Sequence, residues 1–351
     1  MVSSGPGKKA NRNIKISCRN IWKVYGESPR QFFKEDIRKI EDVESHRSHI
    51  QESNHIVAAY NIGFEIGVGE VFVIMGLSGS GKSTVVRCLS RLVRPEFGEV
   101  LLDGQNLLSM TDRELIEIRR HKMGMVFQNF GLFPHMTVLG NVAFPLKVQG
   151  IQREKRYRRA REVIDLVGLE GREHYYPRQL SGGQQQRVGF ARSLGVEPDV
   201  WLLDEPFSAL DPLIRKQLQN EFLRLQQMLH KTIVFITHDF LEAIRLADRI
   251  AIMRDGRIVQ IGTPAEIVMH PANGYVAEFT QDVSRIKVLT AGEIMGRADP
   301  RFADARSVSH STPLEKVLSI FDDQTHIIAV TDDDGTVLGQ ILPLDIVKAM
   351  T

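Results

Sequence analysis

The most constraining feature of the sequence is a glycine-rich stretch that lies between an apolar run and an amphipathic run. Residues 71–75 are apolar and partly β-branched, which predicts a buried strand. The pattern Gly-x-x-x-x-Gly-Lys-Ser follows at positions 76–83, and residues 84–92 carry apolar side chains at helical spacing. A strand, a glycine-rich turn and a helix, in this order, form the context in which such a turn wraps a phosphate group. A glycine turn with a chance lysine is the alternative, and the number of constrained positions makes it a poor one.

The residue types of this loop suit the phosphate chain of a nucleotide. Glycines let successive backbone N–H groups point at phosphate oxygens, and the start of the following helix adds unpaired donors and a partial positive charge. Lys82 is placed to reach the β- and γ-phosphates, and the hydroxyl of Ser83 can ligate Mg²⁺. The predicted nucleotide contacts of the loop are Gly76, Leu77, Ser78, Gly79, Ser80, Gly81, Lys82, Ser83 and Thr84.

Length and composition limit the class of protein. The chain has 351 residues, enough for one large domain and a smaller one. Hydrophobic residues make up 42% and charged residues 25%, and the net charge of +2 demands neither nucleic acid nor an anionic membrane as a partner. No apolar run approaches the roughly 20 residues that span a bilayer, and the N-terminus lacks the apolar core of a secretory signal. We therefore expect a cytosolic chain that works at a membrane only by docking on a protein that spans it.

Two further apolar runs end in polar residues. Residues 200–203 are apolar and precede Asp204 and Glu205, and residues 232–237 precede His238. Strands that alternate with helices predict a mostly parallel α/β sheet, in which the carboxyl ends of the strands meet at one edge. The acids and the histidine are therefore expected beside the phosphate-binding loop.

These residue types predict hydrolysis of the bound nucleotide. Burying unpaired, ionised acids at a strand end costs free energy. Here the acids have a role, because Asp204 can hold the Mg²⁺ shell and Glu205 can polarise the attacking water. His238 can bond the γ-phosphate and that water, and Gln128, at the end of a strand predicted over 123–128, can complete the Mg²⁺ or water shell. A solvated strand end or a capped turn explains each residue alone, whereas their combination and order favour catalysis. The predicted catalytic residues are Lys82, Gln128, Glu205 and His238, and the predicted metal ligands are Ser83, Gln128 and Asp204.

A second glycine turn feeds a second helix. Leu180-Ser-Gly-Gly-Gln184 precedes an amphipathic run, so that Ser181, Gly182, Gly183 and Gln184 form a second possible anion site at a helix start. Together with the other motifs, this run resembles the motif set of an ABC-type nucleotide-binding domain over about residues 14–280. The Leu-Ser-Gly-Gly-Gln run is the specific part of the resemblance, because other P-loop families lack it.

The resemblance implies ATP and Mg²⁺ as cofactors and a P-loop α/β fold with a helical subdomain at about 129–180. It implies that two copies sit head to tail, with each ATP between the P-loop of one chain and the Ser181 turn of the other. It implies that Asp211 links the two sites and that an aromatic ring at position 25 stacks on adenine. From the residues alone, Tyr25 is as easily a core residue. The Gln128 loop and residues 131–139 resemble the surface that receives helices of the membrane subunits.

A closer resemblance concerns one subfamily. Residues 74–84, 208–215 and 271–276 and an insertion at 27–55 resemble the ATPases of glycine betaine, proline and choline importers. This implies a homodimeric, peripheral subunit at the cytoplasmic face of the inner membrane, which binds permease subunits, serves a solute-binding protein indirectly, and binds no nucleic acid. Which amine is carried stays open, because other subunits choose it.

The rest of the chain gives three predictions of domain organisation. Residues 1–13 are expected to be disordered, and residues 27–55 to form a charged helical insertion on the surface. Residues 281–351 resemble a single CBS repeat, a small α+β unit with helices near 312–321 and 343–350 around two strands. One hypothesis is that this unit pairs with its copy and senses ionic strength or an adenine nucleotide. The alternative is a dimer-stabilising remnant without a ligand.

Two other functions are weighed against transport. An ABC-type ATPase acting on DNA carries long coiled-coil insertions, and one acting on the ribosome carries tandem nucleotide domains; this sequence has neither. A chiefly regulatory subunit would not need Lys82, Glu205 and His238 all intact. The motifs therefore favour an importer ATPase.

Overall fold

The computed structural model describes residues 13–33, 42–127, 130–298, 305–321, 326–332 and 334–350. The chain divides into two compact units, Met1–Val259 and Gln260–Thr351. This division falls earlier than the boundary predicted after residue 280. Most of the predicted disordered segment, and Gln128, lie outside the described residues.

The strands of the described residues are numbered in chain order. They are β1 (Ile14–Tyr25), β2 (Ile56–Gly67), β3 (Val71–Met75), β4 (Phe97–Leu102), β5 (Gln105–Asn106), β6 (Met123–Val126), β7 (Val200–Asp204), β8 (Thr232–Thr237), β9 (Arg249–Arg254), β10 (Arg257–Gly262), β11 (Gly296–Arg297), β12 (Ser307–Ser309), β13 (Ile328–Thr331) and β14 (Val337–Ile341).

The helices are numbered in the same way. They are α1 (Val43–Glu52), α2 (Lys82–Leu89), α3 (Asp112–His121), α4 (Val138–Val148), α5 (Arg153–Leu166), α6 (Gly182–Leu194), α7 (Pro212–Leu229), α8 (Phe240–Leu246), α9 (Pro264–Met269), α10 (Gly274–Thr280), α11 (Ala291–Ile294), α12 (Leu314–Leu318) and α13 (Pro343–Met350). None of these described helices combines the length and the apolar character that crossing a bilayer requires.

The largest sheet has the strand order β10-β9-β3-β8-β7-β6. The pairs β9–β3, β3–β8, β8–β7 and β7–β6 are parallel, as the alternation of strands and helices predicted. Every residue of β3, β7 and β8 is buried, because helices cover both faces of a parallel sheet. Met75 is opposite Thr237, and Asp204 is opposite Ile236, so the loops after β3, β7 and β8 start from one edge.

A second, antiparallel sheet has the order β2-β1-β4-β5. In this sheet, β1 ends at Tyr25, which is opposite Ile56, the first residue of β2. In the described part of the insertion between these strands, residues 29–33 and α1 are helical, and this part does not lie wholly on the surface. Ile50 is completely buried in a cluster with Trp22 and Tyr60, because this apolar side chain faces the sheet.

The helical subdomain contains α4 and α5, and α6 packs on both. The buried Asn141 of α4 fixes the preceding loop: its Oδ1 accepts from Phe133 N at 2.8 Å, and its Nδ2 donates to the carbonyls of Phe133 and Met136 at 3.1 Å. One amide side chain therefore replaces the backbone partners that an irregular loop lacks.

The second unit contains a sheet with the order β11-β14-β13-β12. The β12–β13 pair is parallel, and β13–β14 and β11–β14 are antiparallel. With α11, α12 and α13 it forms the small α+β arrangement expected of the tail. Its likeness to a CBS repeat stays a prediction.

Candidate active site

The loop between β3 and α2 requires glycine at three positions. Gly76, Gly79 and Gly81 have φ angles of 150°, 81° and 99°, which L side chains rarely adopt. A Cβ at Gly76 would lie 2.3 Å from the Met253 carbonyl oxygen, and one at Gly81 would lie 2.3 Å from the Ala58 carbonyl oxygen. The loop is therefore held between β9 and β2 at Gly76 and Gly81, which have no room for a side chain, whereas at Gly79 only the backbone conformation favours glycine.

Lys82 begins α2 inside this loop and is only 4% exposed. Its Nζ donates to the carbonyl oxygens of Gly76 at 2.8 Å and Leu77 at 2.9 Å. Burial lowers the pKa of Lys82, and the nearby charges of Glu205 and Asp204 oppose this effect. The loop thus holds a cation at its centre, where a phosphate chain would bind.

Ser83 and Asp204 are brought together by the strand order. The Ser83 hydroxyl donates to Oδ1 of Asp204 at 2.9 Å. Burial raises the pKa of the Asp204 carboxyl, although the bond from Ser83 and the charge of Arg87 act in the opposite direction. A hydroxyl and a carboxylate in contact are the hard oxygen donors that Mg²⁺ prefers, so these two residues fit the predicted metal.

Glu205 and His238 form a pair at the same edge. Nδ1 of His238 lies 3.1 Å from Oε2 of Glu205. The Glu205 side chain is 16% exposed and that of His238 is 55% exposed. Glu205 has φ 46°, a left-handed conformation that costs a non-glycine residue about 1–3 kcal/mol. The turn that follows holds it in place, because the amide and hydroxyl of Ser208 both donate to its carbonyl oxygen, at 3.3 and 3.0 Å.

A cleft of about 600 Å³ joins these groups. Nine of the predicted site residues line it, namely Leu77, Ser78, Gly79, Gly81, Lys82, Ser83, Thr84, Glu205 and His238. Gly76 and Ser80 shape the loop without lining the cleft. The start of β2 supplies the remaining wall, through Ile56, Val57 and Ala58. No sequence motif indicated these three residues, whose place in the wall follows from the pairing of β2 with β1, the strand that ends at Tyr25.

Tyr25 lies beside this wall. It is the last residue of β1 and is 42% exposed, which excludes the alternative of a core residue. Nζ of Lys23 lies 4.7 Å from the centre of its ring. Its strand partner Ile56 lines the cleft, so Tyr25 is adjacent in the sheet to a residue of the cleft wall.

The second glycine turn is a helix N-terminus, as predicted. Ser181 caps α6: its Oγ accepts from Gln184 N at 3.4 Å, and Oε1 of Gln184 accepts from Ser181 N at 3.0 Å. A Cβ at Gly183 would lie 2.5 Å from Cγ2 of Ile214, whereas one at Gly182 would meet Leu210 at 3.4 Å. Gly183 is therefore required by the close approach of α7 to α6.

Asp211 belongs to the same region. It caps α7, and its Oδ1 accepts from Ile214 N at 3.1 Å. Ile214 in turn contacts Gly183, so the Asp211 turn and the Ser181 turn are connected. Neither turn lines the cleft described above. Within one chain, the structure thus keeps the two predicted groups of phosphate contacts apart.

A buried polar network that the sequence analysis did not single out joins α7 to α8. Gln219 Nε2 donates to Oε1 of Glu242 at 2.9 Å, and Arg245 donates to Oε1 of Gln219 at 3.0 Å. Burial raises the pKa of Glu242. The only sequence signal was a charged residue at an inward-facing helix position.

Comparisons with known proteins agree with this geometry. The family described as ABC transporter matches residues 59–208. TmoW of Pelagibacter ubique, a trimethylamine N-oxide transport system ATP-binding protein, is 50% identical over 335 residues, which make up 95% of this chain and 97% of that protein. ProV of Escherichia coli, a glycine betaine/proline betaine transport system ATP-binding protein, is 48% identical over 284 residues, which make up 81% of this chain and 70% of that protein.

A solved structure shows the same fold. The ATP-binding cassette MJ0796, in a dimeric post-hydrolysis state bound to ADP and Pi, matches with a TM-score of 0.59 and 34% identity. The match covers 71% of this chain and 98% of that chain. Because TmoW is half identical to this sequence and is matched over nearly its whole length, the chain belongs to the ABC transporter family of ATP-binding proteins.

Proposed function

We propose that the chain hydrolyses ATP to drive uptake of a small methylated amine through a membrane permease. The observation that carries the proposal is the Glu205–His238 pair, which lies in the same cleft as Lys82 and Ser83. An acid bonded to a histidine beside a phosphate-binding loop is suited to hydrolysis of a terminal phosphate.

Different residues at the cleft bind the nucleotide and hydrolyse it. The loop amides and Lys82 bind the β- and γ-phosphates, and Tyr25 stacks on adenine at the rim. Glu205 accepts a hydrogen bond from the attacking water and takes up its proton, an effect worth about 10²–10⁴-fold in rate. His238 holds Glu205 through Nδ1 and offers Nε2 to the terminal phosphate.

Ser83 and Asp204 would hold Mg²⁺, with Gln128 as the predicted third residue. The bound ion would neutralise charge on the phosphate oxygens as the bond to the leaving group breaks. The bond between Ser83 and Asp204 keeps two oxygen ligands adjacent before the nucleotide binds, which reduces the reorganisation that metal binding requires.

A second copy of the chain would complete the site. Ser181 and Asp211 are exposed on their helix N-termini and do not line the cleft of their own chain. In a head-to-tail dimer, the Ser181 turn of one copy would bind the γ-phosphate held by the loop of the other, and Asp211 would lie between the two sites. The dimeric state of the MJ0796 cassette supports this arrangement.

The permease would dock on an apolar groove of about 330 Å³. Its apolar lining comes from α3, β6 and α4, through Ile116, Met123, Met125, Phe144, Pro145 and Val148. Arg192 also lines the groove and donates to the carbonyl oxygen of Phe130 at 3.1 Å. The groove is thereby linked to the segment that the sequence predicted as the docking surface. Docking there would place the chain at the cytoplasmic face of the inner membrane, without a span of its own.

The substrate class follows from the relatives. Their names give trimethylamine N-oxide, glycine betaine and proline betaine as transported solutes. All three carry a fully substituted nitrogen with a positive charge and an oxygen anion. The sequence predicted quaternary amines, and the N-oxide widens this class to methylated zwitterions. A solute-binding protein, which serves the chain only through the permease, would select among them.

The C-terminal unit would pair with its copy in the dimer. Leu344 is 59% exposed and Met350 is 53% exposed on α13, which gives the unit an apolar helix face. Removing residues 281–351 tests whether this unit regulates transport. Transport that keeps its response to salt after the deletion would leave only the role of a dimer-stabilising remnant.

Phosphate release by the purified chain, alone and with its permease in vesicles, tests the proposed activity. The wild type is expected to hydrolyse Mg²⁺-ATP and Glu205→Gln to lose this activity while it still binds ATP. The exposed Glu197 provides the matched control, Glu197→Gln, which is expected to keep full activity. Accumulation of trimethylamine N-oxide or glycine betaine in the vesicles, dependent on ATP, is expected only with the active chain. ATP hydrolysis by Glu205→Gln at the wild-type rate would overturn the proposal.

A further inference from the structure

The ring of His55 has a backbone carbonyl at each of its nitrogens. Nδ1 lies 2.7 Å from the carbonyl oxygen of Ser53, and Nε2 lies 2.8 Å from the carbonyl oxygen of Glu27. A neutral imidazole has one N–H and one lone pair, so one nitrogen would point its lone pair at an oxygen. Both contacts are hydrogen bonds only when the ring is the doubly protonated imidazolium.

The ring fills a space that depends on glycine. Gly26 has φ 151°, and a Cβ there would lie 2.1 Å from Cδ2 of His55. The Phe32 ring contacts the other side, with its centre 4.9 Å from that of His55 in an edge-on arrangement. His55 is therefore wedged between the segment that follows β1 and the segment that precedes β2.

This wedge adjoins the rim of the nucleotide cleft. Tyr25 directly precedes Gly26, and its strand partner Ile56 directly follows His55. Ile56 itself lines the cleft. The hydrogen bond between His55 Nε2 and the Glu27 carbonyl thus joins the segment after Tyr25 to the segment before Ile56. Without it, the carbonyl of Glu27 would lose its hydrogen bond to the end of the insertion.

We propose that His55 is a positioning residue that, as the imidazolium, holds Tyr25 in place to stack on the adenine of the bound nucleotide. The proposal rests on the proposed function, because it assumes that ATP binds with its base at Tyr25. It assigns His55 a role through Tyr25 and gives it no contact with the nucleotide itself.

Among the described residues, the hydrogen-bond partners of the ring are these two carbonyls. The described segments next to the ring carry the charged or titratable residues Glu27, Arg30, His49 and Glu52. Within the described part of the chain, no ion pair joins any of them to His55. His49 contacts the same Phe32 ring, at 5.9 Å between ring centres.

A dependence of base binding on pH follows by linkage. Histidine side chains change charge between about pH 5 and pH 8. If the ordered Tyr25 segment prefers the imidazolium, then a nucleotide that needs this segment also favours protonation, and protonation strengthens nucleotide binding. The contribution of adenosine to affinity therefore falls as pH rises through this range, whereas the contribution of the phosphate chain does not depend on His55.

The ratio of two dissociation constants isolates the adenosine contribution. Kd for ATP and Kd for inorganic tripolyphosphate, both with Mg²⁺, are measured on the full chain at about pH 6 and pH 8. Tripolyphosphate uses the phosphate-binding loop but not Tyr25, and its use as the reference largely removes the titration of the phosphates themselves. For the wild type, we expect the advantage of ATP over tripolyphosphate to shrink by about fivefold or more between the two pH values, the lower end of usual coupling between sites.

His55→Gln is expected to lose this pH dependence, since glutamine carries no titrating charge. Its advantage of ATP over tripolyphosphate should equal, at both pH values, the smaller one that the wild type shows at the higher pH. The matched control is His174→Gln, an exposed histidine of the helical subdomain, which should behave as the wild type. Unchanged tripolyphosphate binding by His55→Gln would show that the loop is folded. An advantage of ATP that equals the wild-type value at both pH values would overturn the proposal.

A second measurement needs no substitution in the protein that is tested. In ¹⁵N-histidine spectra of the wild type, the signal absent from His55→Gln identifies the ring. This signal is expected to shift on addition of Mg²⁺-ATP and to stay unchanged on addition of tripolyphosphate. A His55 signal that ATP does not move would contradict the role of His55 but leave the proposed function intact. Failure of the wild type to bind ATP at all would remove the proposed function itself.

Discussion

Nδ1 of His238 lies 3.1 Å from Oε2 of Glu205, although 33 residues separate them in sequence. The contact exists because β7 and β8 are parallel neighbours and both residues follow the carboxyl ends of these strands. The histidine thereby fixes the direction of the carboxylate, which stands on a left-handed backbone.

The first prediction concerns this pair. Glu205→Gln and His238→Ala are each expected to lower the rate of ATP hydrolysis by about 10²-fold or more, because one group accepts the water proton and the other orients it. The double variant is expected to be little worse than either single one, since residues that act as a unit have non-additive effects. Phosphate release by the four proteins measures this. Strictly multiplicative losses would show that the two side chains act separately.

The second prediction concerns Gly183. An added methyl group at this position would lie 2.5 Å from Cγ2 of Ile214, and such overpacking costs about 1–3 kcal/mol. Gly183→Ala should therefore lower stability against urea and slow hydrolysis, while ATP binding by the separate P-loop cleft is kept. Gly182→Ala is the control, with its nearest contact at 3.4 Å. Equal stabilities for the two variants would contradict the tight packing of α7 on α6.

The third prediction concerns Mg²⁺. Ser83→Ala removes the hydroxyl that is bonded to Asp204 at 2.9 Å. We expect the Mg²⁺ concentration for half-maximal hydrolysis to rise by about tenfold or more, a usual cost of disturbing groups around a metal. Ser90→Ala, at the end of α2, is the control, because its hydroxyl bonds to the carbonyls of Val86 and Arg87 and not to Asp204. A Mg²⁺ requirement that is identical in both variants would exclude Ser83 as a ligand.

The fourth prediction concerns Glu242, which is 6% exposed. Burial raises its pKa, so its protonated form is favoured in the folded chain. Its contribution to stability is complete below the unfolded pKa, which is about 4.3, and is lost as pH rises through the folded value. Glu242→Gln cannot lose this contribution, so its melting temperature relative to the wild type should increase as pH rises from about 4 to 8.

The control for this series is Glu117→Gln, at a position where the side chain is 59% exposed. Its melting temperature should track the wild type across the whole range. If the difference in melting temperature between Glu242→Gln and the wild type stays constant with pH, then the carboxyl ionises in the folded chain at no cost in free energy.

The catalytic edge of the sheet was predictable, and parts of its surroundings were not. β3, β7 and β8 are mostly apolar runs, so these buried strands and the polar residues that follow them could be predicted from the sequence, whereas the order of the strands in the sheet could not. The carbonyl oxygens of Met253 and Ala58, which are distant in sequence, exclude a side chain at Gly76 and Gly81. The burial of Ile50 and the wedge at His55 depend equally on how the insertion folds back on β1. Short-range patterns carry no information on such contacts, because tertiary packing decides them.

The central claim is that ATP is held between the phosphate-binding loop of one copy and the Ser181 turn of another. Cross-linking tests it most directly, with Leu77→Cys in one tagged copy and Ser181→Cys in a differently tagged copy, both carrying Glu205→Gln. Leu77 is 57% exposed, and the native Cys18 and Cys88 are buried and will not compete for a short bismaleimide. The account predicts a cross-link between the two tagged chains that requires Mg²⁺-ATP. Efficient ATP binding without any cross-link between the chains would contradict it.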